Sequence, residues 1–373
     1  MPGALDLLDS NGFGRASLAL VIRMLGHESS IWLAHRRSGR GAHRTRLRRR
    51  ESTGWGRLAR VRTKVILDVD TGTDDAVALM VAALSPDLEL IGATTVNGNT
   101  AVENCTDNTL RVFDWIGLPA TPVHQGMAQP LVRPIPERNP ARRFHGDHLD
   151  LPVARSARLR PGHAVDWLID TYLASDGDVT LVPVGPLTNI ATAIRKEPRI
   201  LERIPEIVMM GGAHDHGNTT ASAEFNVWTD PEAARIVVNA GRPMRMVSLD
   251  ATHRALVSLD DCRALRALGS PAGEAASRFA ELRIEGYDAA QPMHRAGAAP
   301  IHDALAVCAV IDPTVITTRY IPVDVETNAE LSIGRTVCDF RFRSGKPANV
   351  NFAVDADEAR FVAMLLSILG RSA

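Results

Sequence analysis

Apolar and polar positions alternate in a regular order along the chain from residue 63 onward. Short runs rich in Val, Ile and Leu are followed by longer stretches in which apolar residues recur every three or four positions. The first pattern is typical of buried strands and the second of amphipathic helices. Strands that alternate with helices indicate parallel strands joined by crossover helices. The sequence therefore predicts an α/β fold with an open, mostly parallel sheet flanked by helices.

The predicted elements are spread over the chain from residue 64 to residue 369. The predicted strands are Lys64–Val69, Leu88–Val96, Thr180–Val184, Ile207–Met210 and Arg245–Leu249. The predicted helices are Asp74–Leu84, Val102–Ile116, Gly162–Ala174, Leu187–Lys196, Pro231–Ala240, Ala272–Tyr287, Asp303–Ile311 and Asp357–Leu369. The Pro- and Arg-rich segment Gln129–Arg160 is predicted as a long excursion between sheet elements. Long loops in compact domains often carry function.

Basic residues are concentrated at the start of the chain. Residues 1–62 hold 13 of the 42 Lys and Arg residues and 4 of the 43 Asp and Glu residues, which leaves 29 basic and 39 acidic residues in the remainder. Because the remainder is acidic, nucleic acid is not an expected partner. Residues 1–62 are predicted to be an Arg-rich extension, disordered or produced by a mis-set start codon. A transit-like leader and a nucleic-acid-binding arm are the alternatives. Residues 63–373 are predicted to form a single domain.

Neither the cysteines nor the apolar runs indicate a secreted or membrane protein. The four cysteines are far apart, without a C-x-x-C pair, at Cys105, Cys262, Cys308 and Cys338. This spacing fits neither a thiolate metal site nor a small disulfide scaffold, and a reducing compartment suits it. No apolar run approaches the roughly 20 residues that a membrane-spanning helix needs. A cytoplasmic protein without a membrane partner is therefore predicted.

Four carboxylates follow the first predicted strand within eight residues. Asp68 and Asp70 end the strand, Gly72 turns the chain, and Asp74 and Asp75 open the next helix. Open α/β sheets bind ligands at the carboxyl ends of their strands, and close carboxylates repel one another unless a cation compensates. Oxygen ligands at flexible spacing favour a hard divalent ion, calcium before magnesium. The competing interpretation is a capping motif, which needs one acid rather than four.

Two further motifs carry polar side chains of possible chemical use. His302 and Asp303 follow a proline at a predicted helix start, where Asp303 is a candidate metal ligand and His302 a candidate proton donor near neutral pH. Glu224 and Asn226 are predicted to lie on one side of an extended segment. Two neighbouring polar groups of this kind suit the hydroxyls of a sugar.

Together these motifs resemble the inosine–uridine-preferring nucleoside hydrolase family. The string Asp68-Val-Asp70-Thr-Gly-Thr-Asp74-Asp75-Ala is similar to the family signature D-x-D-x-G-x-D-D-A. Further matches follow in the family's order at residues 94–99, 181–189, 210–212, 223–226 and 302–303. The resemblance covers about residues 63 to 370. It implies an open fold like a doubly wound sheet, and hydrolysis of the N-glycosidic bond of ribonucleosides to ribose and a free base.

The resemblance also implies a role for each matching residue. Asp70, Asp75, Asp303 and the backbone carbonyl of Val184 would bind a calcium ion. Asp70 would also act as the general base on a calcium-bound water, and His302 would help the departing base to accept a proton. The implied substrate contacts are Asp74, Asn99, His145, Met210, Asn218, Glu224 and Asn226. Asp68 would support the metal ligands from behind.

Within the implied substrate site, Asp74 and Asn226 would bind the ribose 2′- and 3′-hydroxyls. Asn218 and Glu224 would bind the 5′-hydroxyl. The implied partner is a small-molecule ribonucleoside, and family members are usually homodimers or homotetramers.

The chain departs from the family pattern at two places. After His145 the family usually continues with a glycine-containing flap, whereas this chain continues with residues 147–150, Asp-His-Leu-Asp. The helix before His302, where the family often contacts the base, carries an unfamiliar set of groups at Tyr287, Gln291, His294 and Arg295. The base preference is therefore left open.

Two other classes of protein share parts of this pattern. Phosphatases of the haloacid dehalogenase type also end a strand in D-x-D, but they require Thr or Val at the position of Gly72. A non-catalytic nucleoside- or sugar-binding protein would have lost the general base or a metal ligand, and none is lost here. A hydrolase of a modified ribosyl compound would use the same residues.

Overall fold

Eight strands form the central sheet of the computed structural model, which describes residues 62–134 and 146–372. The strands of the described residues are β1 (Thr63–Val69), β2 (Leu88–Thr95), β3 (Val123–Gln125), β4 (Val179–Pro183), β5 (Ile207–Met210), β6 (Met244–Val247), β7 (Leu256–Ser258), β8 (Ala298–Pro300), β9 (Ile316–Ile321), β10 (Val323–Val325), β11 (Thr336–Cys338) and β12 (Val350–Ala356). The central sheet has the order β3-β2-β1-β4-β5-β6-β12-β9, and the pairs β7–β8 and β10–β11 form two small antiparallel sheets.

The order of the strands places a topological switch point beside β1. All neighbouring pairs of the central sheet are parallel except the pair of β12 with the edge strand β9. From β1 the chain runs outward through β2 and β3 and then returns to the other side of β1 as β4. Open α/β sheets bind ligands at the carboxyl ends of the strands where the order reverses in this way. The predicted open, mostly parallel α/β sheet is confirmed.

Eleven α-helices lie within the described residues. They are α1 (Thr73–Leu84), α2 (Val102–Trp115), α3 (Ala164–Ala174), α4 (Thr188–Lys196), α5 (Phe225–Thr229), α6 (Pro231–Val238), α7 (Leu249–Thr252), α8 (Leu259–Ala267), α9 (Pro271–Ala290), α10 (His302–Ile311) and α11 (Glu358–Leu369). All eight predicted helices are present, with ends that differ by at most three residues. At the start of α6, Asp230 is the N-cap, and its side chain accepts a hydrogen bond from the Ala233 backbone N–H.

Successive side chains of β1 enter two separate hydrophobic cores. Val65, Leu67 and Val69 belong to the core that α1, α9 and α10 cover, whereas Ile66 belongs to the core that α3, α4 and α6 cover. Alternation by two residues sends neighbours of a strand to opposite faces, and parallel sheets are buried on both faces. The polar residues that follow β1 are therefore held on a strand that is packed from both sides.

The predicted excursion before α3 is confirmed in the described residues. Between β3 and α3, the residues 126–134 and 146–163 contain neither a helix nor a strand. The predicted contact residue His145 and residues 1–61 of the predicted extension 1–62 lie outside the described residues. None of the described helices is long and apolar enough to cross a membrane. All four cysteines are free thiols.

Candidate active site

The turn between β1 and α1 is built around the carboxylate of Asp75. One oxygen of Asp75 accepts a hydrogen bond from the Gly72 backbone N–H at 2.9 Å, and the other accepts one from the Asp70 backbone N–H at 3.1 Å. Backbone N–H groups at a helix start have no partner within the helix, so a carboxylate that accepts them stabilises the turn. The capping interpretation is therefore correct for Asp75. Its carboxylate fixes the backbone of Asp70 relative to the start of α1.

Asp74, Asp75 and Asp303 converge on one point at this edge of the sheet. Each offers a carboxylate oxygen within 4.8 Å of the oxygens of the other two, and all three side chains are buried. Burial, followed by the charge of Asp74, raises the pKa of Asp75 to about 6. Burial and the neighbouring aspartates also raise the pKa of Asp303 well above its usual value. Packed like charges of this kind are stabilised by a cation.

Asp70 lies at the edge of this group and is held by Asn99. The backbone N–H of Asn99 donates to Asp70 Oδ2 at 2.6 Å, and the side-chain amide of Asn99 donates to Asp75 Oδ2 at 3.1 Å. Asp70 is 1% exposed. Asn99 follows β2, the neighbour of β1, so the pairing of these two strands brings Asn99 between the two carboxylates. The structure thus brings together Asp70, Asp75 and Asn99, with Asn99 as the donor to both carboxylates.

Asp68 lies one layer behind these residues. Its Oδ1 accepts hydrogen bonds from Thr94 Oγ1 at 2.5 Å and from Asn189 Nδ2 at 2.7 Å. Complete burial raises the pKa of Asp68 to about 7, although both hydrogen bonds act in the opposite direction. Thr94 lies on β2 and Asn189 on α4, so Asp68 joins three elements of the fold at the base of the site.

Asn226 connects the ends of β4 and β5. Its side-chain amide donates to the carbonyl of Val184 at 2.7 Å and to the carbonyl of Met210 at 3.2 Å. Val184 directly follows β4 and Met210 ends β5, so both carbonyls lie at the carboxyl edge of the sheet. With the amide nitrogen turned to these carbonyls, the side-chain oxygen of Asn226 is directed away from them as an acceptor.

The prediction of an extended segment at Glu224 and Asn226 is wrong. Glu224 is the N-cap of α5, and its carboxylate accepts from the backbone N–H groups of Asn226, Val227 and Gly212 at 2.8, 3.1 and 3.0 Å. Asn218 lies beside it, because Asn218 Oδ1 accepts from the Phe225 N–H at 3.0 Å. Glutamate is not a favoured N-cap residue, so the local sequence did not reveal this short helix.

His302 is buried at the start of α10 between two hydroxyl groups. Its Nε2 lies 2.6 Å from the Tyr287 hydroxyl, and its Nδ1 lies 2.7 Å from Thr252 Oγ1. Burial, followed by the charge of Arg283, lowers the pKa of His302 well below its usual value. The ring is therefore neutral near pH 7, and any proton it contributes comes from a neutral N–H in the chain of hydroxyls rather than from an imidazolium.

Of the four side chains singled out before His302, only Tyr287 lies on α9, which ends at Ala290, and Tyr287 joins the site. Arg295 does not, because it pairs with Glu358 at the start of α11, at 2.9 Å on the surface. Sequence reasoning missed Arg283, whose guanidinium lies 2.9 Å from Asp74 Oδ1 and 5.6 Å from the centre of the Tyr287 ring. Residues four apart share one face of a helix, so the position of Tyr287 was the signal that could have found Arg283.

His253 was also missed by the sequence reasoning. It follows α7, and its ring centre lies 5.6 Å from that of His302. Burial lowers the pKa of His253 to about 4. The His302 side of the site is therefore lined by two imidazoles, one phenol and one guanidinium.

The arrangement of carboxylates and amides at the edge of this sheet matches one known family. The model of the inosine-uridine preferring nucleoside hydrolase matches residues 65–363. The chain belongs to this nucleoside hydrolase family. It is accordingly a hydrolase that acts on N-glycosyl compounds, and ribonucleosides are the class of substrate that the comparison supports.

Individual relatives agree with the family assignment. Over 303 residues, which are 79% of this chain and 93% of the relative, the hydrolase is 43% identical to the pyrimidine-specific ribonucleoside hydrolase RihB of Escherichia coli O157:H7. The purine-preferring ribonucleoside hydrolase of Gardnerella vaginalis has a similar structure, with a TM-score of 0.75, 34% identity and coverage of 82% of this chain and 98% of its own. A plant nucleoside hydrolase, PpNRh1, has a TM-score of 0.77, 28% identity and coverage of 83% and 99%.

The carboxylates of this nucleoside hydrolase fit a metal ion. Enzymes of the family are metal-dependent, and the described residues bring three buried carboxylates within reach of one ion. The ligand atoms on offer are all oxygens, which suits a hard divalent cation. Asp68 Oδ2 is buried and has no hydrogen-bond partner among the described residues.

Proposed function

We propose that this hydrolase cleaves the N-glycosidic bond of ribonucleosides with a water molecule that Asp70 activates beside a bound calcium ion. The observation that carries the proposal is the convergence of buried aspartates at the switch point of the sheet, with Asp303 brought there from far along the chain. Ribose and a free base are the products. The substrate is a small-molecule ribonucleoside.

Asp70, Asp75, Asp303 and the carbonyl of Val184 would hold the ion. A carbonyl oxygen has two lone pairs, so Val184 retains one beside its hydrogen bond from Asn226. When bound, calcium would orient the ribose diol and make a nearby water more acidic. Its flexible shell of about six to eight oxygens suits ligands that come from separate strand ends.

Asp70 is the proposed general base. Its carboxylate is buried and held in place by the backbone N–H of Asn99, so it is directed at a fixed position in front of the sheet edge. It accepts the proton of the attacking water as the water approaches the anomeric carbon. Positive charge develops on the ribose ring as the bond to the base breaks, and the surrounding carboxylates stabilise that charge.

The sugar is held by residues on both sides of the proposed ion. Asp74 accepts from one ribose hydroxyl, and Asn226 accepts from the neighbouring one through the oxygen that faces away from Val184 and Met210. Asn218 and Glu224 lie together at the start of α5, and they would bind the 5′-hydroxyl. Positioning of the sugar against the water accounts for much of the rate.

The base leaves on the side of His302 and Tyr287. These two side chains share a hydrogen bond through which they would help the departing base to accept a proton, and the proton that they give is replaced by the one that Asp70 takes from the attacking water. The choice of base is not carried over from relatives, because RihB is named pyrimidine-specific and the Gardnerella vaginalis enzyme purine-preferring. We also propose that the protein is a homodimer or homotetramer in the cytoplasm.

The test is release of reducing sugar from inosine, adenosine, uridine and cytidine by the purified full chain. We expect release with calcium present, loss of release after treatment with EGTA, and recovery when calcium is added back. No release from any of the four nucleosides by folded, calcium-loaded protein would contradict the proposed activity and favour a nucleoside-binding protein or a modified ribosyl substrate. Equal recovery with magnesium would contradict the choice of calcium.

A further inference from the structure

A buried arginine is bound to one of the aspartates of the active site. The Arg283 and Asp74 side chains are 6% and 10% exposed, and Arg283 Nη1 lies 2.9 Å from Asp74 Oδ1. Resting on the proposed function above, we propose that Arg283 is a positioning residue that reserves Asp74 for the ribose 2′-hydroxyl and withholds it from the metal ion.

The position of the guanidinium is set by three different elements. Arg283 extends from α9, its Nε donates to the carbonyl of Pro300 at the end of β8, and its Nη1 donates to Thr73 Oγ1 at the start of α1 at 3.3 Å. Arginine is seldom buried unless its charge is paired. Because the planar group is held at both ends, it presents a fixed donor to Asp74 rather than a mobile positive charge.

Without this contact, Asp74 would be well placed to bind the ion. One of its oxygens lies within 4.8 Å of oxygens of Asp75 and Asp303, so geometry alone makes these three the favoured ligand set. Calcium accepts additional carboxylates readily because its coordination shell is flexible. Coordination of Asp74 would bring the ion towards the positive charge of Arg283, and the repulsion disfavours that arrangement.

The division of the carboxylates, in which Asp74 is kept for the sugar while other aspartates bind the ion, affects how the sugar is recognised. A carboxylate that coordinates the ion through both oxygens has little capacity left to accept a hydroxyl. With one oxygen of Asp74 bound to Arg283, the other stays available as an acceptor for the 2′-hydroxyl. Sites built to pair with a substrate hydroxyl discriminate strongly against the analogue that lacks it, since a buried polar group is then left unpaired. Arg283 would therefore set the preference for ribose over 2′-deoxyribose.

The test compares Arg283→Met, Arg283→Lys and the control Arg266→Met. Arg266 lies on α8 and pairs with Glu281 of α9 on the surface. The control therefore removes an arginine–carboxylate ion pair that lies away from the site. For each protein, calcium affinity is measured by calorimetry without nucleoside. The ratio of kcat/KM for uridine to that for 2′-deoxyuridine is measured with calcium at saturation, or with inosine and 2′-deoxyinosine if the enzyme prefers purines. Melting temperatures report folding.

For Arg283→Met we expect calcium to bind about tenfold tighter and the ratio of ribose to deoxyribose to fall about tenfold, each equivalent to about 1.4 kcal/mol. Arg283→Lys keeps the charge without the planar fork and should lie between Arg283→Met and the wild type. Arg266→Met should match the wild type. If Arg283→Met does not fold, the ratio for Arg283→Lys alone decides.

An unchanged sugar ratio would overturn the proposal even if calcium binds more tightly, because Arg283 would then act only as a nearby charge. Failure of the proposed function is recognised separately, since the wild type would release no ribose from any of these nucleosides. In that case calcium affinity decides: tighter binding by Arg283→Met supports the division of the carboxylates, and equal or weaker binding rejects it.

Discussion

The hydroxyl oxygen of Tyr287 lies 2.6 Å from Nε2 of His302, and both side chains are buried. Thr252 binds the other ring nitrogen of His302 at 2.7 Å, so the ring is held at both ends. Burial raises the pKa of Tyr287 and lowers that of His302, which keeps both groups neutral near pH 7. As neutral groups, Tyr287 and His302 can therefore place a hydrogen-bond donor close to the departing base without adding a second positive charge beside that of Arg283.

Tyr287→Phe should lower kcat about 10- to 100-fold and change KM much less, because the lost hydroxyl takes part in proton transfer rather than in binding the sugar. Phenylalanine retains the ring and its packing, so the melting temperature should change by only a few degrees. Steady-state kinetics with the preferred nucleoside measure both constants. A rise in KM at constant kcat would indicate that Tyr287 binds the base instead.

Asp70→Asn should lower kcat by about 10³-fold or more while the fold stays intact, since the amide cannot accept the proton of the water at neutral pH. The matched control is Asp178→Asn, which removes a surface ion pair with Lys64 and should leave the rate unchanged. Ribose release and thermal melting are measured on both variants. A folded Asp70→Asn protein with activity within tenfold of the wild type would exclude Asp70 as the base.

Gly98→Ala should abolish activity nearly as completely as Asp70→Asn. A Cβ at residue 98 would overlap the carboxylate of Asp70, which is itself held by the Asn99 N–H, so the carboxylate would have to move. Gly370→Ala serves as the control, because the nearest atom to its Cβ would be 3.3 Å away and its backbone φ is −74°. Steady-state kinetics and calorimetric titration with calcium measure the effect of displacing the Asp70 carboxylate. Wild-type kinetics in Gly98→Ala would show that Asp70 need not occupy this position.

His253→Asn should reduce the loss of stability on acidification. Burial lowers the pKa of His253 to about 4 from its usual 6.5, so between these values the unfolded chain binds a proton that the folded chain does not. The contribution of His253 to the free energy of unfolding is therefore fully present above pH 6.5, and it is lost as the pH falls towards 4. A difference in pKa corresponds to about 1.36 kcal/mol per unit. Because the His253 ring is partly exposed, solvent screening reduces this energy, and we expect a contribution of roughly 2 kcal/mol.

Urea denaturation at pH 7 and pH 4.5 measures this contribution of His253. The wild type should lose roughly 2 kcal/mol more than His253→Asn between the two pH values. The control is His163→Asn, an exposed N-cap of α3 at which asparagine still offers an acceptor. Equal losses in the wild type and His253→Asn would show that this imidazole is not protected from protonation by the fold.

Local patterns were sufficient for much of the fold. The five predicted strands are all present in the central sheet, because long apolar runs between turn residues are strong signals in a sheet buried on both faces. Within the central sheet, β3, β9 and β12 were not predicted, and neither were the four strands of the two small sheets. Strand β3 is three residues long, and β9 is an edge strand with exposed positions, including Tyr320. Such strands lack a distinctive apolar run.

The candidate site, like the fold, could be predicted from the sequence only in part. The group from Asp68 to Asp75 could be recognised because one strand, one turn and one helix start place it within eight residues. By contrast, the direction of each carboxylate could not be predicted. Asp75 folds back onto the turn as a cap, while Asp74 points to Arg283, although the two are neighbours in the chain.

The sequence by itself determined the alternation of strands and helices, the oxygen-rich chemistry at the end of β1 and the family to which that chemistry belongs. Only the tertiary structure decided that Arg283 binds Asp74, that Tyr287 binds His302 and that Glu224 caps α5. Each of these contacts depends on how α9, α10 and the loop after β5 pack against the sheet. Packing joins residues that are distant in the chain, and neither hydrophobic periodicity nor a local motif carries information about such pairs.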